Sequence, residues 1–174
     1  MTRHGQIVRA GVVAGGVDTR YLGAGRGAPV LVLSDDPARR TALLEQLPRG
    51  LRVIAPEMPP SLHPWVAWPE SPAWLGHFLE ALGLWRVAVV ADAALAVPSV
   101  DLALADPGRV TSLVLLQHGL PNDGTEQDGL AAQIGLLSNG IPLFAAWVGA
   151  GDLESFKRAI PQIADFLATS RAED

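Results

Sequence analysis

Three short stretches carry side chains that could do chemistry. Ser34-Asp35-Asp36 ends an apolar run and sets two carboxylates beside a hydroxyl. Val89-Val90-Ala91-Asp92-Ala93-Ala94-Leu95-Ala96 places one carboxylate, Asp92, at the end of another. Gly149-Ala150-Gly151-Asp152 follows a third. A carboxylate serves as nucleophile, general base or triad acid when burial or a neighbour tunes it. Each stretch also has a plain reading. Asp35 and Asp36 precede Pro37 and a predicted helix, which they would cap. Asp92 would be solvated or would cap the next helix, and Asp152 would be a turn residue.

The histidines are His4, His63, His77 and His118. His118-Gly119 follows a predicted strand and is placed for a catalytic or ligand-binding role, with an ordinary loop as the alternative. Met58, His63, Trp65, Trp68 and Trp74 lie in or beside a proline-rich segment, Pro56–Pro72. They would line an apolar pocket or fold over exposed core. No spacing of His and Asp makes a metal site, and no cofactor is expected. Gly23-Ala24-Gly25-Arg26-Gly27 precedes a strand and opens no helix, so it reads as a turn and not as a phosphate loop.

These residues need a scaffold that brings strand ends together. Ile7–Val13 and Val17–Leu22 read as a hairpin closed by Ala14-Gly15-Gly16. Pro29–Ser34 is a strand buried on both faces. Pro37–Leu47 is a helix and Leu51–Ala55 the next strand. Ser71 and Pro72 open a helix that ends at Gly83. Arg86–Val90, Val110–Leu116 and Pro142–Val148 are further strands. Helices fall at Ala94–Ala105, near Leu130–Leu137, and at Leu153–Ala168, where Phe156, Ile160, Ile163 and Leu167 share one face and Pro161 predicts a kink or break. Strands alternating with helices predict one α/β domain over residues 1–174: a mostly parallel sheet of about seven strands with helices on both faces. Ligands in such sheets bind at the carboxyl ends of the strands.

Bulk composition narrows the classes. The 174 residues are 49% hydrophobic and 18% charged, a globular mixture. Net charge is −5 and Lys157 is the single lysine, which argues against nucleic acid. The absence of cysteine excludes disulfides and thiolate chemistry. No apolar run of about 18 residues or signal-peptide pattern is present, so no membrane association and a cytoplasmic location are expected.

The stretch Thr19–Gly119 resembles the α/β-hydrolase superfamily, especially its esterase and haloalkane dehalogenase-like branch. The resemblance rests on Tyr21–Gly25, Arg52–Pro59, Phe78–Leu84, Asp101–Val110 and Leu113–Leu116. It implies a G-x-S-x-G nucleophile turn at Ala91–Leu95, with Ala93 where the nucleophile belongs. A methyl group cannot attack a carbonyl. The second small flank has become Leu95, which predicts a relaxed turn. The His-Gly pair of the family's oxyanion loop is replaced by Ser34-Asp35-Asp36, whose charge would oppose an oxyanion. Asp152 falls at the triad acid, but no histidine follows it. A shift of one residue would make Asp92 a dehalogenase-like nucleophile.

The expectation is a reduced, capless, catalytically degenerate homologue. It would use the old pocket for a small apolar molecule, as a binder or as a non-hydrolytic cyclase, isomerase or lyase. A non-catalytic interaction or assembly protein is the alternative. Unconventional hydrolysis through Asp92 comes third. A homodimer through the Pro142–Val148 edge region is a further expectation.

Overall fold

A computed structural model of the chain describes residues 6–48, 50–58, 71–118, 140–148 and 153–170. The expected helix near Leu130–Leu137 lies outside them, as do His63, Trp65, Trp68 and Asp152.

The chain opens with a hairpin of β1 (Val8–Ala14) and β2 (Val17–Ala24). Ala14 faces Val17 across it, and the two loop residues, Gly15 and Gly16, have φ of 56° and 85°. A two-residue hairpin loop with both φ positive matches the strand twist and suits glycine. The next elements are β3 (Ala28–Leu33), α1 (Pro37–Gln46), β4 (Leu51–Pro56) and α2 (Ser71–Ala81). Then come β5 (Val87–Asp92), a single 3-10 turn (Ala93–Leu95), α3 (Ala96–Ala105), β6 (Val110–His118), β7 (Leu143–Val148) and α4 (Leu153–Thr169).

The strands form one sheet in the order β1-β2-β4-β3-β5-β6-β7. β1, β2 and β4 pair antiparallel, and from β4 through β7 every pairing is parallel. α1 and α4 cover one face, packing Leu43, Phe156 and Ile163 on Val30, Val53 and Val90. α2 and α3 cover the other, packing Leu75, Phe78 and Val100 on Leu31, Val89 and Leu113. The central strands are apolar on both sides because both sides are covered. Each fully buried side chain of this size contributes about 1.5–3 kcal/mol.

Local chemistry sets the helix ends. Asp36 caps α1, its Oδ1 accepting from the Ala38 N–H at 2.8 Å, with Pro37 at the first helical position. Gly83 ends α2 at φ 67°. Its N–H reaches the Glu80 carbonyl at 2.9 Å, and the Leu84 N–H reaches that of Leu79 at 2.8 Å, a Schellman closure.

Two expectations change. β5 and β6 run to Asp92 and His118, past the expected ends at Val90 and Leu116, because the parallel ladder pairs Asp92 with Leu116 and His118 with Val148. α4 is not broken at Pro161, which is exposed while Phe156, Ile160, Ile163 and Leu167 are buried. The hydrogen bond that proline forfeits thus falls on the solvent side, where water can take the freed carbonyl.

Candidate functional site

The carboxyl ends of β3 and β5 lie side by side, Leu33 opposite Ala91 in the ladder. Side chains alternate along a strand, so Ser34 and Asp92, each one residue further, turn to the face covered by α1 and α4. The Ser34 hydroxyl donates to Asp92 Oδ2 in a buried hydrogen bond. The Arg39 guanidinium, from the first turn of α1, donates from Nη1 to Asp92 Oδ1 at 3.0 Å. Asp92 is 2% exposed and Arg39 7%. The arginine is also held by Asp36, whose Oδ2 lies 3.4 Å from its Nε, and by Phe156, whose ring centroid lies 5.7 Å from its Cζ. Ser34 Oγ further accepts from the Asp36 N–H at 3.2 Å.

This cluster ties together β3, β5, α1 and α4. Its chemistry is that of a closed ion pair. Both oxygens of Asp92 are engaged, one by a hydroxyl and one by a guanidinium. An attacking carboxylate needs a lone pair open to a substrate carbon, with space for that substrate. Asp92 is 2% exposed, and each of its oxygens already accepts a hydrogen bond. The plain reading of Asp92 also changes. It is buried rather than solvated, and the N-cap of α3 is Leu95, which makes no side-chain capping bond.

The turn after β5 is equally unlike a nucleophile turn. Such a turn places the nucleophile on a strained, sharp bend. Among the described residues no residue other than glycine has positive φ. Ala93 opens the 3-10 turn. Leu95, where the bend calls for a small residue, is 1% exposed and sits in the core with Leu33 and Ala91. A leucine driven into the core there fixes the turn by packing.

The remaining candidates are dispersed. Asp35 is exposed. His118 ends β6, its backbone paired with Val148. Met58, beyond β4, is half-buried and packs with Tyr21 on the α2/α3 core. Trp74 is 4% exposed, stacks on Phe78 at 5.7 Å, and donates its indole N–H to Thr19 Oγ1 at 3.1 Å. Its polar atom and its ring are thus both occupied within the α2/α3 core. Among the described residues no three His, Asp or Glu side chains gather as a metal ion requires.

Sequence reasoning did not find Arg39. The signal was its place three and four residues before Ala42 and Leu43, on the face of α1 that those residues bury. An arginine on a buried helix face beside a buried strand end asks for a carboxylate.

No protein-family model matches the sequence, and no curated protein matches it. Solved structures do. A predicted CIB-like hydrolase from Thermoplasma acidophilum aligns with a TM-score of 0.71 at 13% identity, over 94% of this chain and 98% of that one. An epoxide hydrolase from Vigna radiata aligns with a TM-score of 0.53 at 21% identity, over 74% of this chain. A potato epoxide hydrolase variant gives 0.54 at 20% identity. This chain spans 46% of the length of each of these two epoxide hydrolases. The strand order and the likeness together show an α/β-hydrolase-like fold, as the resemblance implied. No helix among the described residues is long and apolar enough to cross a membrane.

Proposed function

We propose that this chain is a catalytically degenerate α/β-hydrolase-fold protein that uses the old site region for a small, mostly apolar molecule. It acts as a binder or as a non-hydrolytic cyclase, isomerase or lyase, working in the cytoplasm. The observation that carries the reading is the buried Ser34–Asp92–Arg39 network. It lies at the carboxyl ends of β3 and β5, where the resemblance puts the oxyanion loop and nucleophile turn. Ala93, which has no reactive group, stands one residue beyond. Met58, Trp65, Trp68 and His118 are the ligand-facing residues of this reading. Trp74, expected to face the ligand, is taken up in the α2/α3 core instead, and this reading gives Asp35 and Asp152 no part in bond making.

A second reading is favoured by the likeness to epoxide hydrolases: Asp92 attacks an epoxide or an alkyl halide. Its burial and its two engaged oxygens weigh against this. One experiment separates the two. The purified protein is offered a short acyl ester and an aryl epoxide, and apolar ligands are titrated while tryptophan fluorescence is read. The proposal expects no turnover above buffer and saturable quenching that disappears when Trp65 and Trp68 are both alanine. Turnover that is abolished by Asp92→Asn defeats it. Absent quenching defeats the binding half and favours an assembly role.

A further inference from the structure

Among the described residues the sheet has two outer strands, β1 and β7. On β7, Phe144 is half-buried and stacks against Phe166 of α4 at 5.4 Å. β1 differs. All seven residues, Val8–Ala14, pair with β2 in one unbroken register, with no proline and no shift. Among the described residues no strand pairs with its outer edge, which there presents a regular row of backbone donors and acceptors. Val8 and Val13 beside it are 55% and 61% exposed, and Arg9 is its single charge. Sheet edges are ordinarily blunted by prolines, bulges or several charges.

We propose that a second copy of this chain adds to the β1 edge, antiparallel about a two-fold axis, so that one sheet runs through both copies. The axis stands perpendicular to the sheet and keeps each face continuous. Residues facing one another across it must then point to the same side, which allows registers only in steps of two residues.

The charges choose among these registers. The register that pairs all seven residues sets Gly11 opposite the partner's Gly11, so no side chains collide on the axis. Arg9 then faces the partner's Val13. Behind Val13, one strand further in, stands Asp18, its neighbour across the hairpin. Two strand spacings are about 10 Å, which an extended arginine and an aspartate can bridge. The arginine stem would lie over the exposed valine, and symmetry makes the contact twice. A slip of two residues one way sets Arg9 against the partner's Gly11, behind which stands Arg20, a like charge. A slip the other way carries Arg9 beyond the strand to the Gly15-Gly16 turn. Full overlap and opposite charge thus select the same register.

The test is analytical ultracentrifugation from about 5 to 200 μM at low salt, where exposed ion pairs are least screened. The wild type is expected to dimerise and to weaken as salt rises. Arg9→Glu and Asp18→Arg should each raise the dimer Kd roughly ten- to a hundredfold, since both symmetric pairs become repulsive. The Arg9→Glu/Asp18→Arg double variant should return to within about threefold of wild type. All four proteins are checked for unchanged circular dichroism. A wild type that stays monomeric across the range overturns the proposal. So does a folded double variant that fails to recover. A dimer indifferent to both single changes also overturns it and moves the contact to the Pro142–Val148 edge.

Discussion

Replacing Arg39 by methionine tests whether Asp92 is a structural anchor or a reactive group. Methionine keeps the stem that packs by Phe156 and removes the guanidinium. Asp92 then stays buried at 2% exposure without its cation. Removing one partner of a buried pair costs about 3–5 kcal/mol. For a domain of this length that is a fall in Tm of roughly 6–20 °C. Asp92→Asn should fall toward the lower end of that range, because Arg39 keeps Asp36, whose oxygen lies 3.4 Å from its Nε. Arg39→Met/Asp92→Leu should recover much of the loss, since the apolar pair leaves no buried charge. Urea denaturation followed by circular dichroism gives the three values. The sign for Asp92→Asn discriminates further, because removing a group held for catalysis tends to stabilise a fold. Stabilisation by Asp92→Asn, strictly additive losses, or an Arg39→Met cost below about 1 kcal/mol would each refute the reasoning.

Thr19→Val leaves the buried Trp74 indole N–H without its acceptor and should cost about 1–3 kcal/mol, while Trp74→Phe on that background should cost little more; a double-mutant cycle in urea reads the coupling. Gly27→Ala should strongly reduce soluble yield and Tm, since φ is 125° and the new Cβ would clash with the Gly50 carbonyl oxygen. Burial on α3 pushes the Asp101 carboxyl above its ordinary value, so its charged form weakens the fold at neutral pH. The penalty is full above the folded-state pKa and vanishes as pH falls below the unfolded one. Asp101→Asn should therefore raise Tm at pH 7, with the gain shrinking as the carboxylate range is crossed; a pH-independent effect contradicts the assignment.

The alternation of apolar runs with helical faces made the sheet legible in the sequence, because both faces of the central strands are buried and pattern alone marks them. Gly15-Gly16 and Gly83 were legible for the same kind of reason: a positive φ leaves a glycine in the sequence. The helix-capping reading of Asp36 also holds. The strand ends were harder. Nothing in Ala91-Asp92 says that a parallel ladder carries the strand one residue into a charge. That needs the partner at Leu116 and the cation at Arg39, 53 residues back in the chain. Trp74 was hard to read in the same way. It follows the proline-rich segment in sequence, but the helical period turns it inward to Thr19. Long-range pairing of single polar residues leaves no local period to read.

The two-residue period of β3 and β5 also separates the closed cluster from what remains of the site. Ser34 and Asp92 face α1 and α4. Leu33, Ala91 and Leu95 belong to the core beneath α2 and α3, and Met58 and Tyr21 pack on that core. A hydrolase must bring nucleophile and oxyanion donors to one substrate atom, and on the proposed reading the charge pair on the opposite face takes no part in that. On the Met58 face the buried charge among the described residues is Arg109, which pairs with Glu80 of α2 and with Asp106. An apolar ligand could be held there without competing for the Arg39–Asp92 pair. On this arrangement the Arg39→Met/Asp92→Leu protein, once folded, should keep the apolar-ligand affinity of the wild type within about threefold, because stability and binding are carried by different faces of the sheet. Fluorescence titration of the two proteins side by side measures this, and a loss of binding that tracks the ion pair would place ligand and cluster in one site.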